Sequence, residues 1–203
     1  MQWYEAEVRE LVERTRAGRG EQPGRRPPVF YRSSSIRLWN TLAEDVDPGV
    51  LNLGFGGCTL EACDYFFADL VPPVHPRSLL LYAGDNDLGD GRTAKEVLGW
   101  FRSLADKVAA SLGPLPFGFV SVKPSPARSP IIDRIRRVND LVSREFESRP
   151  SGYYVDIFSA ILDPSGKPRT EYFLDDGLHL SREGYRLWGH LLLEKHRNQI
   201  FTC

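Results

Sequence analysis

The stretch Ser78-Leu79-Leu80-Leu81-Tyr82-Ala83-Gly84-Asp85-Asn86-Asp87 holds the fold in miniature: an apolar run without polar alternation, then a turn of small and acidic residues. A continuous apolar run of this length suits a β-strand covered on both faces, as in a parallel sheet. Just beyond it, Thr93-Ala94-Lys95-Glu96 has the form of a capping box and opens a helix expected over 93–112. The same succession recurs along the chain. Further strands are expected at Pro28-Val29-Phe30-Tyr31, Val50-Leu51-Asn52-Leu53, Phe117-Gly118-Phe119-Val120-Ser121-Val122 and Tyr153-Tyr154-Val155-Asp156-Ile157. Helices are expected over about 3–16, 59–70 and 130–147, the last because Ile131, Ile135, Val138, Leu141 and Val142 recur at helical spacing. A final helix starts at Ser181, whose hydroxyl is placed to cap it, and runs through Leu187, Leu191 and Leu192. Strands alternating with helices predict an α/β fold, a three-layer α/β/α sandwich on a five-stranded parallel sheet.

A chain of 203 residues, 41% of them hydrophobic, can bury one substantial core, so a single domain over 1–203 is expected, with the N-terminal helix as an extension. The formal net charge of −1 gives no electrostatic footprint for a nucleic acid. No apolar run approaches the roughly 18 residues that span a bilayer, which argues against stable membrane insertion. Met1-Gln2-Trp3-Tyr4-Glu5-Ala6-Glu7 carries acids where a secretory signal has a basic tip, so a soluble, cytoplasmic protein is expected. Cys58, Cys63 and Cys203 are odd in number and lack C-x-x-C spacing, which fits buried or idle thiols better than a disulfide framework or a zinc site.

In open parallel sheets, ligands bind beyond the carboxyl ends of the strands. The segments that follow the strands here are Arg32-Ser33-Ser34-Ser35, Gly54-Phe55-Gly56-Gly57, Ala83-Gly84-Asp85-Asn86-Asp87 and Lys123-Pro124-Ser125, with Leu174-Asp175-Asp176-Gly177-Leu178-His179 before the last helix. A serine becomes a nucleophile at neutral pH only beside a base, and a histidine base needs a carboxylate to fix its tautomer. Asp176 and His179, in D-x-x-H spacing, supply both, and Ser34 is the candidate nucleophile. A tetrahedral oxyanion requires fixed donors, for which the N–H groups of Ser34 and Gly57 and the side-chain amide of Asn86 are suited. Lys123 and Arg128 flank the loop after the fourth strand and are candidate substrate contacts, with cations lying over the surface as the alternative. Each signal has a plain structural reading when taken alone, as a cap or a turn. Their conjunction after successive strands is what points to catalysis. His75, His190 and His196 have no partner at catalytic or metal spacing, and Trp39, Phe55, Tyr82 and Phe173 suit core packing better than an acyl pocket.

On these blocks the chain resembles the SGNH, or GDSL-type, esterase/lipase superfamily, from Val29 to about Leu193. Phe30-Tyr31-Arg32-Ser33-Ser34-Ser35-Ile36-Arg37-Leu38-Trp39 stands for the nucleophile block, near a subgroup with G-S-S-S-I-R-L-W. Asn52-Leu53-Gly54-Phe55-Gly56-Gly57 stands for the glycine block, Gly84-Asp85-Asn86-Asp87 for G-x-N-D and Asp176-Gly177-Leu178-His179 for D-x-x-H. The resemblance implies a flavodoxin-like fold and hydrolysis of esters or related acyl compounds without metal or cofactor. Short-chain esters, acetylated sugars, thioesters and lysophospholipids all suit it as small-molecule substrates. Arg32 and Ser33 replace the family's glycine and aspartate, and Asp85 stands where many relatives carry threonine, so Ser33 and Asp85 are expected to share the bracing of the nucleophile turn. Two rivals are a non-catalytic binding module on the same scaffold and a flavin or nucleotide binder, the latter lacking any G-x-x-x-x-G-K signature. An elbow of the G-x-S-x-G type would need glycines at Arg32 and Ile36.

Overall fold

Five apolar runs pair, all parallel, into one sheet of order β2-β1-β3-β4-β5. The strands are β1 (Pro28–Tyr31), β2 (Leu51–Leu53), β3 (Ser78–Leu81), β4 (Phe117–Val120) and β5 (Gly152–Val155). This computed structural model describes residues 1–21, 24–31 and 33–201. The sequence expectation at Arg32 and at Cys203 lies outside the described residues.

Successive residues of a strand face opposite ways, and both faces are apolar here. Val29, Tyr31, Leu79, Leu81, Phe117 and Phe119 join one core, beneath α1 (Glu5–Glu21), α4 (Leu60–Leu70), α6 (Ala94–Leu112) and α7 (Ile132–Glu147). Phe30, Leu80, Val120, Tyr153 and Val155 join the other core, under α9 (Arg182–Phe201). The result is the expected three-layer α/β/α arrangement. Trp188 of α9 is the hub of the second core, fully buried, with its ring edge-on to Tyr82 at 4.9 Å and to Trp39 at 5.9 Å.

The helix starts follow the local chemistry: Thr93 and Glu96 form the capping box of α6, and the Thr59 hydroxyl accepts from the Ala62 N–H at the start of α4. Ser181 accepts from the Gly184 N–H at the start of α9. Short helices that the apolar periodicity does not reveal lie at α2 (Ser33–Arg37), α3 (Leu42–Asp45), α5 (Asp85–Gly89) and α8 (Phe158–Ile161). The fourth strand stops before its expected end because side chains replace the ladder. Asn139 both donates to the Val122 carbonyl and accepts from its N–H, while the Ser121 hydroxyl accepts from the N–H groups of Ile157 and Phe158. The helix expected from 130 begins at Ile132, behind a 3₁₀ segment, Pro126–Ile131.

Candidate active site

Strand order places the site. Because β1 lies between β2 and β3, the loops that leave these three strands emerge side by side, which is where open α/β sheets bind ligands. α2 after β1 carries Ser34, the loop after β2 carries Gly57, and α5 after β3 carries Asn86. The segment entering α9 brings His179 over the same edge.

Ser34 follows a sharp bend at Ser33, whose φ of 67° is in the left-handed region that a non-glycine residue rarely occupies. The bend turns the extended chain into α2 and presents Ser34, partly exposed, at the top of the sheet. His179 Nε2 is 3.2 Å from Ser34 Oγ, and His179 Nδ1 is 2.6 Å from Asp176 Oδ2. The carboxylate holds a proton on Nδ1, so Nε2 is left to accept from the serine hydroxyl. The other Asp176 oxygen accepts from the N–H groups of Leu178 and His179, across a turn in which Gly177 has a φ of 62°. The hydrogen bond from His179, reinforced by these two backbone donors, lowers the Asp176 carboxyl to about 2. It stays ionised throughout the neutral range.

The oxyanion candidates lie in the loop after β2 and in the first turn of α5. Gly57 has a φ of 64°, a conformation that glycine adopts without strain, and its carbonyl accepts from the Tyr4 hydroxyl at 3.1 Å. Asn86 Nδ2 donates to the Cys58 carbonyl at 3.1 Å, which ties α5 to the loop after β2 and uses one of the two amide hydrogens. Gly54 permits the loop after β2 to lie on α2, since a Cβ there would stand 2.2 Å from the Arg37 backbone nitrogen. Cys58 and Cys63 are buried thiols, as expected, with their sulfurs 3.6 Å apart.

Several supports have no signature in the sequence. The Tyr185 hydroxyl of α9 donates to the Ser35 carbonyl at 2.9 Å, which joins the helix that follows His179 to the helix that carries Ser34. Asp45 accepts from Trp39 Nε1, from the Thr41 hydroxyl and from Arg182. Burial would raise the Asp45 carboxyl, but these three donors outweigh it and lower it. Asp87, next to Asn86, is buried and accepts the Leu60 N–H with both oxygens, yet burial dominates and pushes it up to about 6.

Lys123 requires a correction. It neither lies over the surface nor reaches the site opening; it is 1% exposed, with Nζ 2.5 Å from Asp85 and 3.2 Å from the Tyr82 hydroxyl. Burial by itself would lower the ammonium, but the Asp85 charge more than offsets this and raises it. Arg128 Nε donates to the other Asp85 oxygen at 3.2 Å, and its guanidinium lies against Gly89 with a quarter of the side chain exposed. Asp85 is thereby engaged by two cations and makes no brace with Ser33, whose hydroxyl faces the Ser35 N–H at 3.4 Å. Trp39, Phe55, Tyr82 and Phe173 are all buried within the two cores. His75 is exposed in a left-handed turn, His190 pairs with Glu194 at 3.5 Å, and His196 stacks on Tyr153. Among the described residues no group of three or more His, Cys, Asp or Glu side chains is arranged to hold a metal ion. Nor is any helix among them long and apolar enough to cross a membrane.

A parallel α/β sheet thus carries serine, histidine and aspartate in one hydrogen-bonded line at its carboxyl edge, and the family that the sequence matches is one of hydrolases. The chain belongs to the GDSL-like Lipase/Acylhydrolase family, whose sequence profile matches residues 9–187. It is 27% identical to the platelet-activating factor acetylhydrolase IB subunit alpha1 of Bos taurus over 172 residues, which is 77% of this chain and 69% of the bovine one. Among solved structures, a Streptococcus pneumonia protein described as a platelet activating factor superposes with a TM-score of 0.80 at 19% identity, covering 95% of this chain and 94% of the other. An acylhydrolase from Bacteroides fragilis gives a TM-score of 0.76 at 19% identity over 98% and 97%. These two likenesses speak to the fold.

Proposed function

We propose that the protein is a serine hydrolase that cleaves carboxylic esters through an acyl-enzyme, with Ser34 as nucleophile, His179 as base and Asp176 as its orienting carboxylate. The observation that carries this reading is the unbroken line Ser34 Oγ, His179 Nε2, His179 Nδ1, Asp176 Oδ2, with its links of 3.2 and 2.6 Å. His179 takes the hydroxyl proton as Ser34 Oγ bonds to the ester carbonyl carbon. The negative charge moves to the carbonyl oxygen, where the N–H groups of Ser34 and Gly57 and the free hydrogen of the Asn86 amide receive it. Collapse expels the alcohol, which leaves with the proton from His179. Water then attacks the acyl-enzyme with His179 again as base, and releases the acid and the serine.

The name of the bovine relative makes acetyl and other short-chain acyl esters the first substrates to try. Of the two cations considered for substrate contact, only Arg128 keeps exposed surface to offer. A panel of p-nitrophenyl esters of increasing acyl length, run on wild type and Ser34→Ala, tests the reading. Wild type should turn over the short esters, Ser34→Ala should be reduced by at least about 10⁴-fold, and a fluorophosphonate should add its mass at Ser34. Turnover that survives in Ser34→Ala, or a wild type that neither hydrolyses nor labels, would sink it and return the binding-module alternative.

A further inference from the structure

The helix that precedes the first strand and the 3₁₀ turn Gln2–Tyr4 that leads into it reach the candidate oxyanion loop with one side chain each. Glu7 Oε2 accepts from the Gly56 N–H at 3.0 Å, and the Tyr4 hydroxyl donates to the Gly57 carbonyl at 3.1 Å. These two groups belong to the peptide units on either side of the Gly56–Gly57 peptide. That middle peptide carries the Gly57 N–H, the donor assigned to the oxyanion. Two successive glycines are the least restrained backbone a chain can offer, so this donor's direction depends on whatever fixes its neighbours. Glu7 and Tyr4 fix one on each side.

The same carboxylate holds the nucleophile helix. Glu7 pairs with Arg37 at 3.0 Å, Arg37 belongs to α2 with Ser34, and the Arg37 guanidinium occupies the space that a Cβ on Gly56 would fill, at 2.7 Å. Farther along the same helical face, beyond the buried Leu11, Arg14 donates to the Asn52 carbonyl at 2.8 Å, and Asn52 in turn donates to the Ile36 carbonyl at 2.7 Å. The Tyr4 ring lies against Phe55 and Phe66, with centroids at 5.6 and 6.4 Å, so its hydroxyl is not a freely swinging group. The family profile begins only at residue 9, beyond both side chains.

We propose that Tyr4 and Glu7 are positioning residues for the reaction: together they hold the Gly56–Gly57 peptide so that its N–H points at the developing oxyanion. The proposal rests on the oxyanion role given to Gly57 above. Donor strength in such a hole comes from orientation set before the reaction, so a loosened donor weakens transition-state binding more than substrate binding.

The test uses the full chain with p-nitrophenyl acetate. Tyr4→Phe removes one hydroxyl, Glu7→Leu removes the acceptor and the ion pair, and Glu7→Gln retains an acceptor for the Gly56 N–H without the charge. In Tyr4→Phe combined with Glu7→Leu, kcat should fall about 10- to 100-fold with KM within about twofold. Glu7→Gln should recover most of the loss of Glu7→Leu. Amide hydrogen exchange in a peptide spanning 54–59 should quicken in Tyr4→Phe and Glu7→Leu and return in Glu7→Gln. If the double variant fails to fold, Tyr4→Phe alone carries the test, with a kcat loss of a few-fold and faster exchange at 54–59. An active wild type whose variants keep kcat, or lose it without change in exchange at 54–59, overturns the proposal alone. A wild type inert to esters and to fluorophosphonate overturns the reading of the site, and the proposal with it.

Discussion

Two polar clusters stand at the carboxyl edge of the same sheet, and they are built in opposite ways. The line from Ser34 through His179 to Asp176 is open to solvent, with 28% of the histidine side chain and 47% of the aspartate side chain exposed. The cluster of Lys123, Asp85 and Tyr82 is closed, and every charge in it is matched inside the fold, with Arg128 completing Asp85. A charge that is sealed and fully partnered holds loops together. A directed chain that ends in a solvent-reachable hydroxyl has something left to give a substrate.

Parallel Asp176→Asn and Lys123→Met variants would break this division most sharply. Asp176→Asn should lower kcat for a short ester by about 10²- to 10⁴-fold, because the imidazole loses its fixed tautomer, while thermal unfolding is little changed. Lys123→Met should do the reverse, costing about 3–5 kcal/mol in urea unfolding because it leaves a buried carboxylate short of a partner. A Lys123→Met protein as stable as wild type but without activity would reverse the roles assigned to the two clusters.

A smaller effect is expected at Asp87, which is buried like the closed cluster but has no cation bonded to it among the described residues. Its native carboxyl is raised to about 6 against 3.8 in a free chain. The native state therefore holds the proton more tightly than the unfolded state, and stability falls as pH rises from about 4 to about 6. Asp87→Asn should flatten that slope and raise stability near neutral pH by on the order of 2–3 kcal/mol. Urea midpoints measured on both proteins across that range decide it, and an unchanged slope counts against the burial argument. The smallest effect belongs to Asp176, whose native carboxyl is lowered from 3.8 to about 2. Its contribution to stability is present above the free-chain value and is lost as pH falls toward about 2. The difference in unfolding midpoint between wild type and Asp176→Asn should shrink over that acid window, and by little in absolute terms, since the group faces solvent.

The division also explains what could be read from the sequence. Strands such as residues 78–81 were legible because a sheet covered on both faces demands unbroken apolar runs. Asp176 and His179 were legible because both belong to one turn, whose local spacing suffices to bring carboxylate to imidazole. Lys123 misled because a lysine's burial is decided by its partner, and Asp85 lies 38 residues away. The Tyr185 bond to the Ser35 carbonyl spans 150 residues and ends on backbone, which leaves no pattern in side-chain types. The contact between Cys58 and Cys63 was hidden for a similar reason: one thiol is in a loop and the other on a helix, so no helical or strand periodicity relates them. The N-terminal helix looked like an appendage for want of any motif, and only the folded loop shows that its polar face has partners.

His179 follows Ser34 by 145 residues, and the helix after it seals the second core with Trp188. On the ribosome the proposed nucleophile therefore emerges long before the imidazole proposed to activate it, and chain growth proceeds from the N-terminal side. On the proposed mechanism, a nascent or partly denatured chain lacking a docked C-terminal helix carries an inert hydroxyl. Hydrolytic competence would then act as a late certificate of assembly, and recovery of turnover during refolding would time the arrival of the last helix.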